Sequence, residues 1–383
     1  MTIIFVILFI VLGCDIIFKK RCSFSIQGAI TIVVQKWKQK RKIWHDANLR
    51  KQLRLRHKKR CRKKPPTSRS PSLFSEQFKT NGAYKISAPS KFNLLADPDS
   101  SLKFFNSVID IFSSCQPHEK IFFDFTQVEE ITVDSIMYFI ALLKNTWRIK
   151  QLKISCSGNL PLNVSARKIM EECGFYDYLE PIHSHPAAHN RRYVKISHGS
   201  DANGELAGNI CDFANNACKS NLLNTKRLYP MIVELMTNTH QHAYGKKKSN
   251  MIAHWYIFVQ ELDDIVQFVF LDTGLGIPKT IFKHFRERAK NLLITSDAQY
   301  LESVLRGDFR TETRQKNRGK GLPGIYEDIC KNSILDFSVI SGKGKCSVQP
   351  DGSIATFDLN YHFAGTLFTW AIPKYEEGVH DNH

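Results

Sequence analysis

Glu234-Leu-Met-Thr-Asn238-Thr-His-Gln-His242-Ala243 decides how this chain is read. Its polar residues fall four apart. Glu234, Asn238 and His242 share one helical face, and Ile232, Leu235, Met236, Thr239 and Ala243 take the other. A carboxylate followed one turn later by an amide suits a site for a nucleoside triphosphate. The carboxylate takes a proton from an attacking nucleophile, and the amide oxygen is a hard ligand for Mg²⁺. Taken alone, the pair reads first as the solvated face of an ordinary helix.

Two later stretches bear on that choice. Asp272-Thr-Gly274-Leu-Gly276-Ile-Pro278 follows the apolar strand Ile265–Leu271, so an acid stands at a strand end before a glycine-rich turn. Glycines there let backbone approach a ligand closely. Arg318-Gly319-Lys320-Gly321-Leu322-Pro323-Gly324-Ile325 then joins a basic loop to a helical pattern, Ile325–Lys331. A glycine loop feeding a helix N-terminus offers N–H groups to phosphates.

In this order the three stretches resemble the GHKL ATP-binding fold shared by gyrase, the heat-shock chaperones, the mismatch-repair ATPases, sensor histidine kinases and the bacterial anti-sigma serine kinases. The match runs from about Arg192 to Tyr375. The resemblance implies that Asn238 binds Mg²⁺, that Asp272 holds the adenine amino group, and that Gly274 and Gly276 shape the turn beside it. It implies that Gly319, Lys320, Gly321 and Gly324 cover the phosphates, that Thr366 is the late adenine-side threonine, and that Glu234 is the general base. Many members carry a third glycine one residue after the second. Here Leu322 and Pro323 intervene before Gly324, and Pro323 has no N–H to give a phosphate.

The charge of +18 on 383 residues is unevenly spread. Lys36–Lys64 holds fifteen Lys/Arg against Asp46 alone, for +14, which leaves +4 for the rest. The basic signal therefore belongs to a tail, which reads as a contact for nucleic acid phosphates or anionic lipid heads, or as a solvated linker. The ten cysteines form no C-x-x-C pair, which fits buried reduced thiols rather than a disulfide framework. His183, His185 and His189 lack the supporting Cys or acid that a metal site would add.

In chain order, residues 1–20 read as a short membrane anchor or a spurious leader. The run Ile3–Phe18 is shorter than a spanning helix needs, and the basic residues after it would keep the bulk cytoplasmic. Residues 21–80 are the basic tail. Residues 82–182 alternate helix and strand as a small sheet covered by helices: helix Asp99–Ser114, strand Lys120–Phe125, helix Val133–Trp147, strand Leu152–Ser155 and helix Asn163–Cys173. Ile136, Phe139, Ile140 and Leu143 fall on one face of the second helix. Phe123-Asp-Phe-Thr-Gln-Val-Glu-Glu-Ile-Thr-Val-Asp134-Ser135 resembles the STAS domain of anti-sigma-factor antagonists. That resemblance implies a regulatory module with a protein partner, and Ser135 at the place of a phosphorylated serine. Asp134 and Ser135 also read as plain helix caps.

Residues 192–376 form the second, GHKL-like α/β domain. Helices are expected within Asp201–Tyr229, and a hairpin from Ile252–Val259 to Ile265–Leu271. The later strands are Leu335–Ser341, Ser353–Leu359 and Thr366–Ile372. Lys279–Asn317, polar and without an evident core, reads as a lid over phosphates. Together these readings give a cytoplasmic-facing ATP-binding regulatory protein, an ATPase or a serine/threonine kinase, with ATP and Mg²⁺ as cofactors and a homodimer as one assembly. The alternatives are a non-catalytic nucleotide-sensing scaffold, or a nucleic-acid-associated ATPase acting through the basic tail.

Overall fold

The computed structural model describes residues 79–80, 83–145, 153–179, 192–218, 227–243, 254–285, 289, 292–309, 324–327, 334–349 and 351–374. Residues 3–18, Lys36–Lys64, the histidines of 183–189, and Gly319, Lys320 and Gly321 lie outside them. Every described element belongs to one compact unit, Glu76–His383. The architecture is mixed α/β, with parallel and antiparallel sheets.

The first half comprises, in chain order, β1 (Lys79–Thr80), β2 (Ala83–Ser87), β3 (Lys91–Phe92), α1 (Pro98–Ser114), β4 (Lys120–Asp124), β5 (Glu130–Ile131), α2 (Val133–Asn145), β6 (Ser155–Gly158), α3 (Val164–Glu172) and α4 (Phe175–Leu179). A four-stranded sheet runs β1-β2-β4-β6. Its last three strands are parallel, as helical crossovers require. Helix α1 starts where Asp97 accepts the Ser100 N–H at 3.2 Å and Pro98 takes the first turn. Asn163 caps α3 in the same way, on the Ala166 N–H.

The second half comprises β7 (Tyr193–Gly199), α5 (Gly204–Ala217), α6 (Leu228–Ala243), β8 (Trp255–Glu261), β9 (Ile265–Asp272), α7 (Ile277–His284), α8 (Asp297–Arg306), β10 (Leu335–Val348) and β11 (Ile354–Pro373). Its sheet is antiparallel throughout, in the order β10-β11-β9-β8-β7. The two-residue period of a strand divides its side chains between two cores. On β8, Trp255, Ile257 and Val259 join a core with α5 and α6, while Tyr256 and Phe258 join one with α1 and α2.

Helices α1 and α2 therefore lie between two sheets. Phe139 of α2 packs edge-on against Phe123 of β4 at 4.9 Å, and Tyr138 stacks on Phe363 of β11 at 4.2 Å. Ile136 to Leu142 are all buried, so α2 is apolar all round, not on the single face read from periodicity. Polar bonds fasten the same contact. Asn360 of β11 donates twice to Asp99 of α1, at 2.7 and 3.0 Å, and the Ala364 N–H donates to the Tyr138 hydroxyl at 3.0 Å.

Four sequence expectations are corrected. The strand after α2 is Ser155–Gly158, not Leu152–Ser155. It lies at a sheet edge with all four residues exposed, and so carries no apolar alternation to read. The two final strands are one, Ile354–Pro373, because Gly365 at φ +111° turns the chain without ending its pairing. Lys279–Asn317 is not coreless. It carries most of α7 and all of α8, with Ile281, Ala289 and Phe309 packed together. Ser135 is wholly buried, and its Oγ and the Asp134 carboxylate both accept the Leu94 N–H, so these side chains lock α2 to the segment before α1. In this conformation Ser135 is not accessible to a kinase.

Candidate functional site

Strand β9 carries Asp272 to the edge of a turn. Asp272 pairs with Thr366 of β11 on one side and Trp255 of β8 on the other. Two bonds shape the turn that follows. Asp272 Oδ1 accepts the Gly274 N–H at 2.7 Å, and Thr273 donates its N–H to the His254 carbonyl at 3.0 Å. The turn then enters α7 through Gly276, at φ +82°. A Cβ there would lie 2.8 Å from Ser341 Oγ and 2.9 Å from the Gly365 carbonyl, so only glycine fits.

Ser341 is the clasp. Its hydroxyl accepts the Ile277 N–H at 3.0 Å, donates to the Gly365 carbonyl at 2.7 Å and lies 3.2 Å from Thr366 Oγ1. One side chain from β10 thus joins the turn after β9 to the bend in β11. Thr280 adds a second tie by donating to the Gly276 carbonyl at 2.8 Å.

These groups border a cavity of about 190 Å³. Its polar lining is Asn238, Asp272, Thr280 and Thr366, and Leu235, Phe270, Ile281, Val304 and Phe368 form the apolar wall. Four residues singled out in the sequence, Asn238, Asp272, Gly276 and Thr366, are therefore brought together. Gly274 shapes the turn without lining the cavity. Glu234, one turn before Asn238 on α6, is half-buried and is not among the lining residues. Gly324 opens a helical turn over residues 324–327, whose Ile325 is buried in the core beneath.

Ser341 and Thr280 were not legible beforehand. The only local signal at Ser341 is a polar residue within an apolar β-run, just before Gly342.

Burial pushes the Asp272 carboxyl up to about 6, opposed by the Gly274 N–H. At neutral pH it is mainly ionised, and it accepts hydrogen bonds at the mouth of an apolar slot. Pockets that enclose whole drug-sized ligands start at roughly 300 Å³. This one is smaller and fits a single flat ring system with a hydrogen-bond donor for Asp272, the remainder of the ligand lying outside. Among the described residues the Asn238 amide has no hydrogen-bond partner, so its hard oxygen is open to a cation carried in with the ligand. No three His, Cys, Asp or Glu side chains among the described residues form a metal-binding group, and no helix among them is long and apolar enough to cross a membrane. Comparison with models of known protein families and with curated proteins gives no match.

Proposed function

We propose that this cavity holds the base of ATP and that the chain is a GHKL-class regulatory protein whose first layer is a STAS-like module. The observation that carries this reading is convergence. Asn238 of α6, Asp272 at the end of β9, Gly276 of the turn after it and Thr366 within β11 all border one small apolar slot. In this reading Asp272 accepts the exocyclic amino group, Phe270 and Phe368 flank the ring, and Thr366 fixes its edge. Mg²⁺, when bound, neutralises phosphate charge, with Asn238 as its ligand from the chain.

Turnover is a separate matter. Glu234 is the only base offered by the sequence pattern, yet it stands off the cavity lining. That placement favours a second reading, nucleotide sensing without hydrolysis. The buried Ser135 removes one acceptor from the kinase form of the first reading.

Calorimetric titration of the full-length protein with ATP and Mg²⁺, alongside phosphate release, separates the readings. We expect binding that Asp272→Asn weakens at least ten-fold, since the amide no longer presents two acceptor oxygens. Phosphate release that Glu234→Gln abolishes while binding is retained would establish an ATPase. Binding without release would establish the sensor. Absence of nucleotide binding would overturn both.

A further inference from the structure

A second cavity, about 350 Å³, shares Leu275 with the first and is otherwise lined by different residues. Leu275, Pro278 and Phe282 give it an apolar wall, with the Phe282 ring half-exposed at the surface. Gly342 contributes bare backbone at φ +64°. A Cβ there would overlap the Asp297 carboxylate and sit 3.3 Å from Pro278 Cγ, so any side chain would close this wall.

The polar groups in the cavity are Lys279, Asp297, Tyr300 and His362. Asp297 is partly engaged, since its Oδ2 accepts the Lys343 N–H at 2.7 Å. The Lys279 ammonium, the Tyr300 hydroxyl and the His362 ring have no hydrogen-bond partner among the described residues. Burial, aided by the Lys279 and Lys343 charges, holds the His362 imidazole below its usual range against the opposing pull of Asp297. The ring is therefore neutral at pH 7; Lys279 and Asp297 line the cavity, and Lys343, exposed and outside the lining, adds a second positive charge to the field at His362.

An excess of one positive charge selects a monoanion over a cation. The rings of Phe282 and Tyr300, with Leu275 and Pro278, select a flat apolar body. The neutral imidazole and the phenol add hydrogen bonds without adding charge. From this combination we infer that the cavity is a second binding site, for a small aromatic carboxylate. This inference does not rest on the nucleotide reading of the first cavity.

Phenylacetate titrated into the full-length protein at pH 7 tests it, with phenethylamine as the cation of matching shape. We expect saturable binding of phenylacetate and at least ten-fold weaker binding of phenethylamine. Lys279→Gln and Phe282→Ala should each weaken phenylacetate at least five-fold. Both positions are at the surface, and an unchanged melting temperature would confirm that the variants fold. Photo-crosslinked 4-azidophenylacetate should mark the tryptic peptide 291–306, which contains Tyr300. Any of four results would overturn the proposal: no saturable binding, equal binding of the amine, indifference to Lys279→Gln, or crosslinks on the Asn238-containing peptide 228–246.

Discussion

Asp272 is a carboxyl whose environment penalises its charge, and that has a thermodynamic signature. Its folded pKa, about 6, lies above the ordinary 3.8, so the folded chain holds this proton more tightly than the unfolded chain. The stability that protonation adds is full below about pH 4, falls as pH rises towards 6, and is gone above it. Over that window Asp272 should remove up to about 3 kcal/mol of stability. Asp124 acts in the opposite sense. Although burial opposes it, bonds from Lys85, Thr126 and Asn159 hold its pKa far below 3.8, and its contribution is lost only in stronger acid. Urea unfolding of wild type and Asp272→Asn from pH 4 to 7 isolates the effect by difference. The wild type should lose stability relative to the variant as pH rises, and parallel curves would refute the assignment. At this scale the legible residues were those whose signal is local: an acid ending a strand, a glycine after it, an amide on a helix face. Ser341 was illegible because the groups it joins, Ile277 and Gly365, stand 64 and 24 residues away.

Elements meet through glycine at one place where the cost of a methyl group can be stated. Strand β10 crosses helix α8 at Gly344, where a Cβ would lie 2.5 Å from Ala298 N and 2.6 Å from Asp297 C. Both are backbone atoms, so no rotamer relieves the overlap. Gly344→Ala should cost at least about 2 kcal/mol in urea unfolding. Gly208→Ala in α5, with nothing within 4 Å, should instead be neutral or add up to about 1 kcal/mol. Equal effects at the two sites would show that α8 yields to β10. Helices were the more legible elements because caps mark their ends. Asp97 and Asn163 stand at the starts of α1 and α3, and the Ser296–Gln299 capping box and left-handed Gly307 bound α8. The same markers lie inside the stretch read as a lid, where low apolar content hid a helix whose fully buried residues are Ala298, Leu301 and Leu305. Strand ends were less legible, since β6 is exposed and β11 runs through its own glycine.

At the scale of the whole molecule, two blocks of alternating strands and helices were visible in the sequence, but their shared core was not. Its one trace is the unbroken apolar run Ile136–Leu143, which a helix with a solvent face would not carry. Because Tyr138 and Phe363 belong to one core, the two sheets should unfold together. Hydrogen exchange should give the amides of β4 and β9 the same opening free energy. Tyr138→Ala should lower both by about 3 to 5 kcal/mol, while unequal changes would mean that the halves are separable. Strand β11 also has a consequence for synthesis. Its residues complete the covering of α1 and α2, yet Asn360 and Asp99 are 261 positions apart. At roughly 5 to 20 residues per second, a ribosome needs roughly 10 to 50 s to pass from the end of α2 to the end of β11. Until β8 and β9 emerge the outward side of α2 has no sheet to cover it, and Tyr138 waits longer still, for Phe363 of β11. The chain's first half thus leaves the ribosome with apolar surface that only strands made later can cover.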